Sequence, residues 1–207
     1  ALLDVDPRGE ERTEERRDAR APVGEREPDL HLRQHVLGPQ GAEVEIVKVK
    51  TTGDRLSAAG AAISWKGDFT KELDEALLEH RVDFAVHSLK DVPAALPEGL
   101  ALAAVPLRED PSDVLVAHPQ RPFSELPQGA RVGTSSPRRK AQLLAARPDL
   151  AVVEIRGNVE TRIQRLREGR FDAIVLARAG LARLGRLEEI SEVFSPDVLL
   201  PAVGQGA

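Results

Sequence analysis

Residues 133–162 read GTSSPRRKAQLLAARPDLAVVEIRGNVETR, and this stretch predicts two turns at which a strand runs into a helix. At the first turn Ser136 is a favoured N-cap and Pro137 suits the first helical position, because its missing N–H would be unpaired there in any case. The free N–H groups of a helix N-terminus attract anions. Arg138 and Arg139 add guanidinium forks that match carboxylate or phosphate. The stretch therefore predicts a site for a ligand with several negative charges.

The same arrangement recurs at the second turn, where Arg156 precedes the turn and Arg162 lies one turn into the next helix. Residues 131–170 hold ten Lys or Arg against four Asp or Glu, although the whole chain has a net charge of −5. A nucleic-acid-binding domain is expected to be basic overall, so this distribution favours a compact anionic ligand. For any single arginine, a solvated helix face remains the alternative. The cluster as a whole follows two predicted strands, and α/β proteins bind ligands at the carboxyl ends of strands.

Length and composition limit the class of protein. The 207 residues suffice for one or two domains with a sizeable core. No apolar run approaches the ~20 residues of a membrane-spanning helix, and the first residues lack the apolar core of a signal peptide. The sequence contains no cysteine, which excludes disulfides, thiolate zinc sites and a cysteine nucleophile within it. We expect a cytoplasmic protein that does not bind membranes.

Residues 1–40 differ in composition from the rest of the chain. They hold seven arginines and ten acidic residues with no aromatic residue, which predicts a mobile tail or a poorly packed helix. His31 and His35 are four residues apart, so a helix would place both imidazoles on one face. The segment HLRQH lacks the glutamate of the zinc-protease pattern, and we expect no metal site.

From Gly41 onward the pattern alternates between strands and helices, which predicts an α/β protein with mostly parallel sheets. Two such sheets, meeting near residues 105–112 and 198–201, would leave a ligand cleft between two domains. After the atypical segment 1–40, we expect two domains. The first comprises residues 41–106 and a return segment 201–207, and the second comprises residues 107–200. The expected strands are 44–49, 82–88, 101–107, 113–118, 131–134, 151–155 and 172–177, and the expected helices are 69–79, 137–146, 158–168 and 178–184.

A second candidate for the site is the segment HSLKDVP, residues 87–93, which directly follows a predicted strand. Ser88 and Lys90 offer a hydroxyl and an ammonium group. Asp91 is a carboxylate among cations, which keeps it ionised and able to stabilise positive charge or to accept N–H bonds. A turn in which Asp91 caps the backbone is the structural alternative. Beside a cluster of arginines, a chemical role for the acid is favoured.

These segments together resemble the porphobilinogen deaminase (hydroxymethylbilane synthase) family from about Gly41 to Ala207. The motifs that carry the resemblance, in the order of the family, are HSLKDVP, REDP, GTSSPRR, RGNVETR, AGLARLG and LPAVGQGA. The resemblance implies two similar lobes with mixed, mostly parallel sheets around a central cleft, as in periplasmic binding proteins. It also implies a transferase of tetrapyrrole (haem) biosynthesis that condenses four porphobilinogens into hydroxymethylbilane with release of ammonia. A dipyrromethane cofactor would prime the chain.

Porphobilinogen carries an acetate and a propionate on its pyrrole, which fits the cationic site inferred from the residues. By resemblance, Asp91 is the catalytic acid, which would bind pyrrole N–H groups and stabilise the cationic azafulvene formed as ammonia leaves. The residues that would hold substrate or cofactor carboxylates are Arg138, Arg139, Arg156, Arg162 and Arg183. Further binding residues implied by the resemblance are Thr134, Ser135 and Ser136, Ser88 and Lys90 from the other domain, Gln205 near the crossover, and Lys66 on a loop over the cleft.

The sequence departs from the family pattern in three places. Residues 1–40 lack the family's first strand and its arginine-containing turn, which either a shifted reading frame or a divergent extension explains. The chain stops at GQGA, before the family's third, α+β domain. The cysteine that anchors dipyrromethane belongs to that domain, so we expect this chain to hold the cofactor only non-covalently and to be weakly active or inactive alone.

Two other functions remain open at this point. A non-catalytic module with two lobes could capture a polycarboxylate or an oxyanion, which accounts for the arginines but not for Asp91 within HSLKDVP. A nucleic-acid-binding protein is disfavoured by the negative net charge and by the scarcity of aromatic side chains for stacking, one Trp and five Phe. We expect a monomer with porphobilinogen as its small-molecule substrate.

Overall fold

The computed structural model describes the backbone of Leu2–Leu3 and residues 45–49, 51–52 and 70–207. The best-defined part of the fold is a five-stranded mixed sheet formed after residue 112. Its strands are β3 (Asp113–Ala117), β4 (Arg131–Gly133), β5 (Ala151–Val153), β6 (Ala173–Ala177) and β7 (Glu192–Val193), in the spatial order β5-β4-β6-β3-β7.

The direction of these strands is mostly shared. Strand β4 pairs in parallel with both β5 and β6, whereas β3 is antiparallel to its two neighbours, β6 and β7. Four of the five strands therefore run in one direction, and β3 alone runs against them. The α/β class expected from the sequence is confirmed for this part of the chain.

Helices connect the parallel strands. Helix α2 (Pro137–Ala146) joins β4 to β5, α3 (Val159–Arg167) joins β5 to β6, and α4 (Arg178–Arg183) follows β6. Their bounds agree with the predicted helices within two residues. The predicted N-cap is also confirmed, because Ser136 precedes Pro137 at the start of α2 and its hydroxyl accepts a bond from the Arg139 N–H at 3.4 Å.

Burial on both faces explains the apolar residues 114–117 of β3 and the apolar strand β6. Successive residues of β3 alternate between two clusters, since Leu115 packs on one face and Val114 and Val116 pack on the other. Helix α2 covers the first face with Leu143, which is fully buried, and α3 covers the second face with Ile163.

The part of the chain before residue 113 contains less regular structure. Helix α1 (Lys71–Leu78) and strand β2 (Phe84–Ala85) are formed, and β2 pairs antiparallel with β1 (Leu2–Leu3). Leu77 and Ala85 form a small core of their own, packed against the partly buried Leu73, Val82, Leu96 and Leu100.

Two strands predicted for this region are not present as strands. Residues 45–49 and 101–107 have no regular secondary structure, and the latter are exposed throughout, with Leu107 at 98%. A strand needs a hydrogen-bonded neighbour, and neither segment has one among the described residues. Among the described residues the other sheet consists of β1 and β2 alone. The division into two domains stays a prediction.

The expectation of a mobile tail for residues 1–40 lies outside the described residues, apart from Leu2–Leu3, which form β1. His31 and His35 also lie outside them. Within the described ranges, no helix combines the length and the apolar character that crossing a bilayer requires.

Candidate active site

The site begins where the HSLKDVP turn meets the end of the chain. Residues Leu89–Asp91 form one turn of 3₁₀-helix, and the Leu89 N–H donates to the carbonyl of Ala207 at 3.0 Å. The backbone of Gly206 accepts a bond from the Glu109 N–H at 3.0 Å. These contacts bring the turn, the segment around Glu109 and the last residues of the chain to one place.

Glycine is required at this meeting point. Gly206 has φ +90°, and a Cβ atom there would lie 2.4 Å from the carbonyl oxygen of Glu109. Gly204 has φ +72°, and its Cβ would lie 3.1 Å from the backbone of Leu89 and Lys90. The two glycines of GQG therefore allow a close backbone approach and a left-handed conformation that other residues rarely adopt.

Lys90 lies at the centre of the charged groups of the site. Burial lowers the pKa of its ammonium group, and Arg139 and Arg162 lower it further, while Asp91 and Asp113 act in the opposite direction. Four charged side chains on separate elements thus act on one nitrogen. The charges of Arg139 and Arg162 thus act on Lys90, and the part of these three residues in ligand binding stays a prediction.

Arg162 lies on the same side of the sheet edge, in the first turn of α3. Its Nε donates to the carbonyl of Gly157 at 2.7 Å, which fixes the side chain against the second turn. Burial lowers the pKa of its guanidinium, as do Arg139 and Arg165, and Asp91 opposes them. Asp91 itself is exposed at the end of its turn, so a ligand can reach it while it interacts with Lys90 and Arg162.

A buried carboxylate that the sequence analysis missed organises two of the arginines. Asp113, fully buried at the start of β3, accepts bonds through Oδ1 from Arg139 Nε at 3.1 Å and Nη2 at 2.7 Å. Its Oδ2 accepts from Arg138 Nη2 at 2.7 Å. Arg138 also donates to the carbonyl of Leu200. Gln205, 1% exposed, donates to Asp113 Oδ1 at 2.8 Å.

Asp113 stays ionised in spite of its burial. Burial alone would raise the pKa of this carboxyl, but Arg139, Gln205 and Arg138 outweigh it and hold the pKa below the usual range. The sequence did contain a signal for this residue, because it is the one charged position in a strand that is otherwise apolar and buried. A buried acid of this kind needs a cationic partner.

The serine-rich turn before α2 is ordered by its own hydroxyls. Thr134 is buried and its Oγ1 accepts a bond from the Ser136 N–H at 3.2 Å. The hydroxyl of Ser135 donates to the carbonyl of Ile155 at 2.5 Å. This bond joins the turn after β4 to the turn after β5, so that the two predicted anion-binding turns are neighbours, as the parallel pairing of their strands requires.

The remaining predicted residues have separate local contacts or lie outside the described residues. Arg156 forms an ion pair with Glu154, at 2.6 Å from Nη2 to Oε1. Arg183 is exposed and donates to the carbonyl of Gly206 at 3.0 Å. Ser88 is exposed at the start of the 3₁₀ turn. Lys66 lies outside the described residues.

The fold and the site together define an α/β protein with a cationic site around one exposed acid. Residues 27–207 match the family model described as porphobilinogen deaminase, dipyromethane cofactor binding domain. The chain therefore belongs to the porphobilinogen deaminase family. The match of the family model begins at residue 27, and the motifs quoted for the resemblance all lie within it.

Curated relatives agree with this assignment. The porphobilinogen deaminase of Nitratidesulfovibrio vulgaris is 52% identical over 179 residues, which cover 86% of this chain and 56% of that protein. The porphobilinogen deaminases of Trichlorobacter lovleyi and Geobacter sulfurreducens are 54% and 53% identical over 168 residues, covering 81% of this chain and 54% and 52% of those proteins. The chain thus spans about half the length of the curated relatives it matches.

Solved structures give a more distant likeness. A Salmonella typhimurium periplasmic binding protein with high arginine specificity has a TM-score of 0.31 and 20% identity, over 42% of each chain. A mutant of ArgBP from T. maritima has a TM-score of 0.36 and 20% identity, over 81% of this chain and 67% of that one. The strand order described above, rather than these likenesses, defines the fold.

The residues present fit a group that carries several carboxylates. Lys90 and Arg162 supply partly buried positive charge beside an exposed acid, and Arg138, 27% exposed, has part of its guanidinium open to solvent. The described residues therefore offer donors of the kind that a dipyrromethane group requires. No residue of the sequence is a cysteine, so a thioether link to this chain's own residues is excluded.

Proposed function

We propose that this chain carries the catalytic cleft of a porphobilinogen deaminase, which condenses porphobilinogen units head to tail into hydroxymethylbilane and releases ammonia. The observation that carries the proposal is the convergence of Lys90, Arg139 and Arg162 beside the exposed carboxylate of Asp91. Membership of the family supports the same reaction.

Recognition of the substrate rests on its acetate and propionate groups. The ammonium of Lys90 and the guanidiniums of Arg138 and Arg162 would bind these carboxylates by charge-assisted hydrogen bonds. Arg156 and Arg183 would bind carboxylates further along the growing chain. The dipyrromethane group, when bound, supplies the pyrrole end on which that chain grows.

Other predicted residues complete the binding surface. Ser88 would add a hydroxyl from the 3₁₀ turn. The hydroxyls of Thr134 and Ser136, which accept bonds from backbone N–H groups, would donate to a carboxylate at the start of α2, and Ser135 would hold this turn through its bond to Ile155. Gln205 is buried and contacts Asp113, so its role would be to shape the floor of the site. Lys66 would supply a further positive charge to the ligand.

Asp91 would act on the reacting atoms. Its carboxylate would accept the pyrrole N–H and stabilise the positive charge that develops on the substrate as ammonia leaves. Such a group accelerates the step because it favours the cationic state more than the neutral one.

Titration calorimetry with porphobilinogen tests the binding part of this proposal. We expect the chain to bind porphobilinogen, and Arg162→Ala to weaken binding by about tenfold, the cost of a hydrogen bond to a charged group. Arg170→Ala, which removes an exposed arginine paired with Glu168 on the opposite end of α3, is the matched control and should leave the affinity unchanged. A chain that binds porphobilinogen no better than acetate would contradict the proposal.

The finer assignments belong to the same proposal. We infer that the protein acts as a monomer in the cytoplasm, where the starting compounds of tetrapyrrole synthesis are small and soluble. The chain alone would turn over weakly or not at all, because its own residues offer no thiol to hold the primer covalently.

A further inference from the structure

We propose that Asp113 is a positioning residue of the site, which orients Arg138 toward the ligand and uses Arg139 as its buried counter-charge. This inference rests on the proposed function, because it assigns Asp113 a part in binding the same carboxylates. Neither the motifs in the sequence nor the family match gives this residue a role.

The first support is the unequal burial of the two arginines. Arg139 is 6% exposed, and its guanidinium donates to Asp113, to the carbonyl of Val175 at 3.0 Å and to Gln205 Oε1 at 3.5 Å. These contacts occupy four of its five N–H groups. Arg139 therefore acts on a ligand through its positive charge and through the residues it contacts. It does not bind a ligand carboxylate with two parallel hydrogen bonds.

Arg138 has the complementary arrangement. One Nη atom donates to Asp113 Oδ2 at 2.7 Å and the other donates to the carbonyl of Leu200, while the side chain remains 27% exposed. Two bonds from different nitrogens of a planar guanidinium fix the orientation of its plane. Asp113 thus helps to determine how the partly exposed Arg138 side chain is oriented.

The second support is that Asp113 joins two segments that are far apart in the sequence. It follows the segment 108–112 directly, and Gln205, from the segment after Leu200, donates to it. Arg108 Nε in turn donates to the carbonyl of Gln205 at 2.9 Å. A change in the relative position of these segments would therefore move Arg138 through Asp113.

A double-mutant cycle on porphobilinogen binding tests the inference. We expect Asp113→Asn and Arg138→Ala each to weaken binding about tenfold. The combined variant should bind about as well as Arg138→Ala alone, because Asp113 acts through Arg138. If Asp113→Asn instead acted through a general loss of structure, the losses in affinity of the two single variants would multiply in the combined variant. That result would overturn the inference.

Two further variants complete the cycle. Asp149→Asn breaks a similar pair with Arg147, at 2.7 Å from both Nε and Nη2 but away from the site, and should leave binding unchanged. Gln205→Ala removes one hydrogen bond to Asp113 and keeps both ion pairs, so it serves if Asp113→Asn does not fold. We expect it to weaken binding about threefold, with no further effect in an Arg138→Ala background.

Modification with phenylglyoxal, mapped by peptide mass spectrometry, separates this inference from the proposed function. We expect Arg139 to be protected in the chain without ligand and to become reactive in Asp113→Asn or Gln205→Ala, while Arg138 reacts and is protected by porphobilinogen. If porphobilinogen protects nothing, the proposed function fails, and the reactivity of Arg139 still decides the inference. The inference would be overturned if Arg139 of the unmodified chain reacted as fast as the exposed Arg170. It would also be overturned if porphobilinogen protected Arg139 instead of Arg138.

Discussion

Asp113 and Arg139 form an ion pair that is almost completely buried, with the carboxylate 0% and the arginine 6% exposed. Removing one partner of such a pair leaves the other charge unpaired in the interior. We therefore expect Asp113→Asn to lower the free energy of unfolding by about 3–5 kcal/mol, measured by urea denaturation. Glu168→Gln, which breaks the exposed pair with Arg170, should cost less than about 1 kcal/mol. Equal losses in the two variants would contradict the account of the buried pair.

The same pair predicts a dependence of stability on pH. The pKa of Asp113 in the folded chain lies below its usual value, so its contribution is complete above the unfolded pKa and is lost as the pH falls through the folded one. The difference in stability between the unmodified chain and Asp113→Asn should be constant near neutral pH and should shrink below about pH 4. A difference that is unchanged down to about pH 2 would show that the carboxylate charge is not responsible.

Ligand binding should depend on pH at the alkaline end because of Lys90. Burial together with Arg139 and Arg162 lowers the pKa of its ammonium, so the positive charge that holds a carboxylate is lost at a lower pH than for a free lysine. The affinity for porphobilinogen should therefore begin to fall below the ~10.5 of an unperturbed lysine. The arginine of Lys90→Arg keeps its charge to higher pH, so this variant should bind porphobilinogen through the alkaline range without a fall in affinity. The same fall in both proteins would assign it to another group.

The close approach at Gly206 predicts a large cost for a single methyl group. Gly206→Ala places a Cβ 2.4 Å from the Glu109 carbonyl, in a residue with φ +90°. Gly129→Ala is the matched control, since its φ is +74° and nothing lies within 4 Å of the added Cβ. The control should lose about 1–2 kcal/mol from backbone strain alone, and Gly206→Ala should lose clearly more. Thermal unfolding measures both losses. Equal losses would show that the Glu109 backbone moves away from the added Cβ at little cost in stability.

The intact mass of the purified chain tests how it holds its cofactor. Since the sequence contains no cysteine, we expect a mass of about 22.5 kDa without a covalent dipyrromethane adduct, even after incubation with porphobilinogen. An adduct that survives denaturation would contradict this expectation and would identify another attachment residue.

The elements that local chemistry defines were predictable from the sequence. Helix α2 starts where Ser136 and Pro137 indicated, because N-capping and the restricted φ of proline act within one turn. The alternation of strands and helices after residue 112 gave the parallel part of the sheet for a similar reason, since the periodicity of apolar residues reflects burial directly.

The elements that depend on distant partners were not predictable. The apolar segment 101–107 has the composition of a strand, but a strand forms only with a neighbour, which no local pattern reveals. Asp113 and Gln205 are separated by 92 residues, and their contact follows from the meeting of two segments that are far apart in the sequence. The sequence therefore indicated a group of candidate cations, whereas the bonds of Asp113 to Arg138 and Arg139 are seen only in the structure.

The most direct test of the whole account is the turnover of an Asp91→Asn variant. Because this chain spans about half the length of its relatives, residues 41–207 are exchanged into the porphobilinogen deaminase of Trichlorobacter lovleyi, and ammonia release from porphobilinogen is measured. We predict that the chimaera releases ammonia and that Asp91→Asn retains binding but loses more than about 99% of the rate, as expected for a preorganised charge at the reacting centre. A near-normal rate for Asp91→Asn would contradict the central claim that this acid stabilises the cation formed in the reaction.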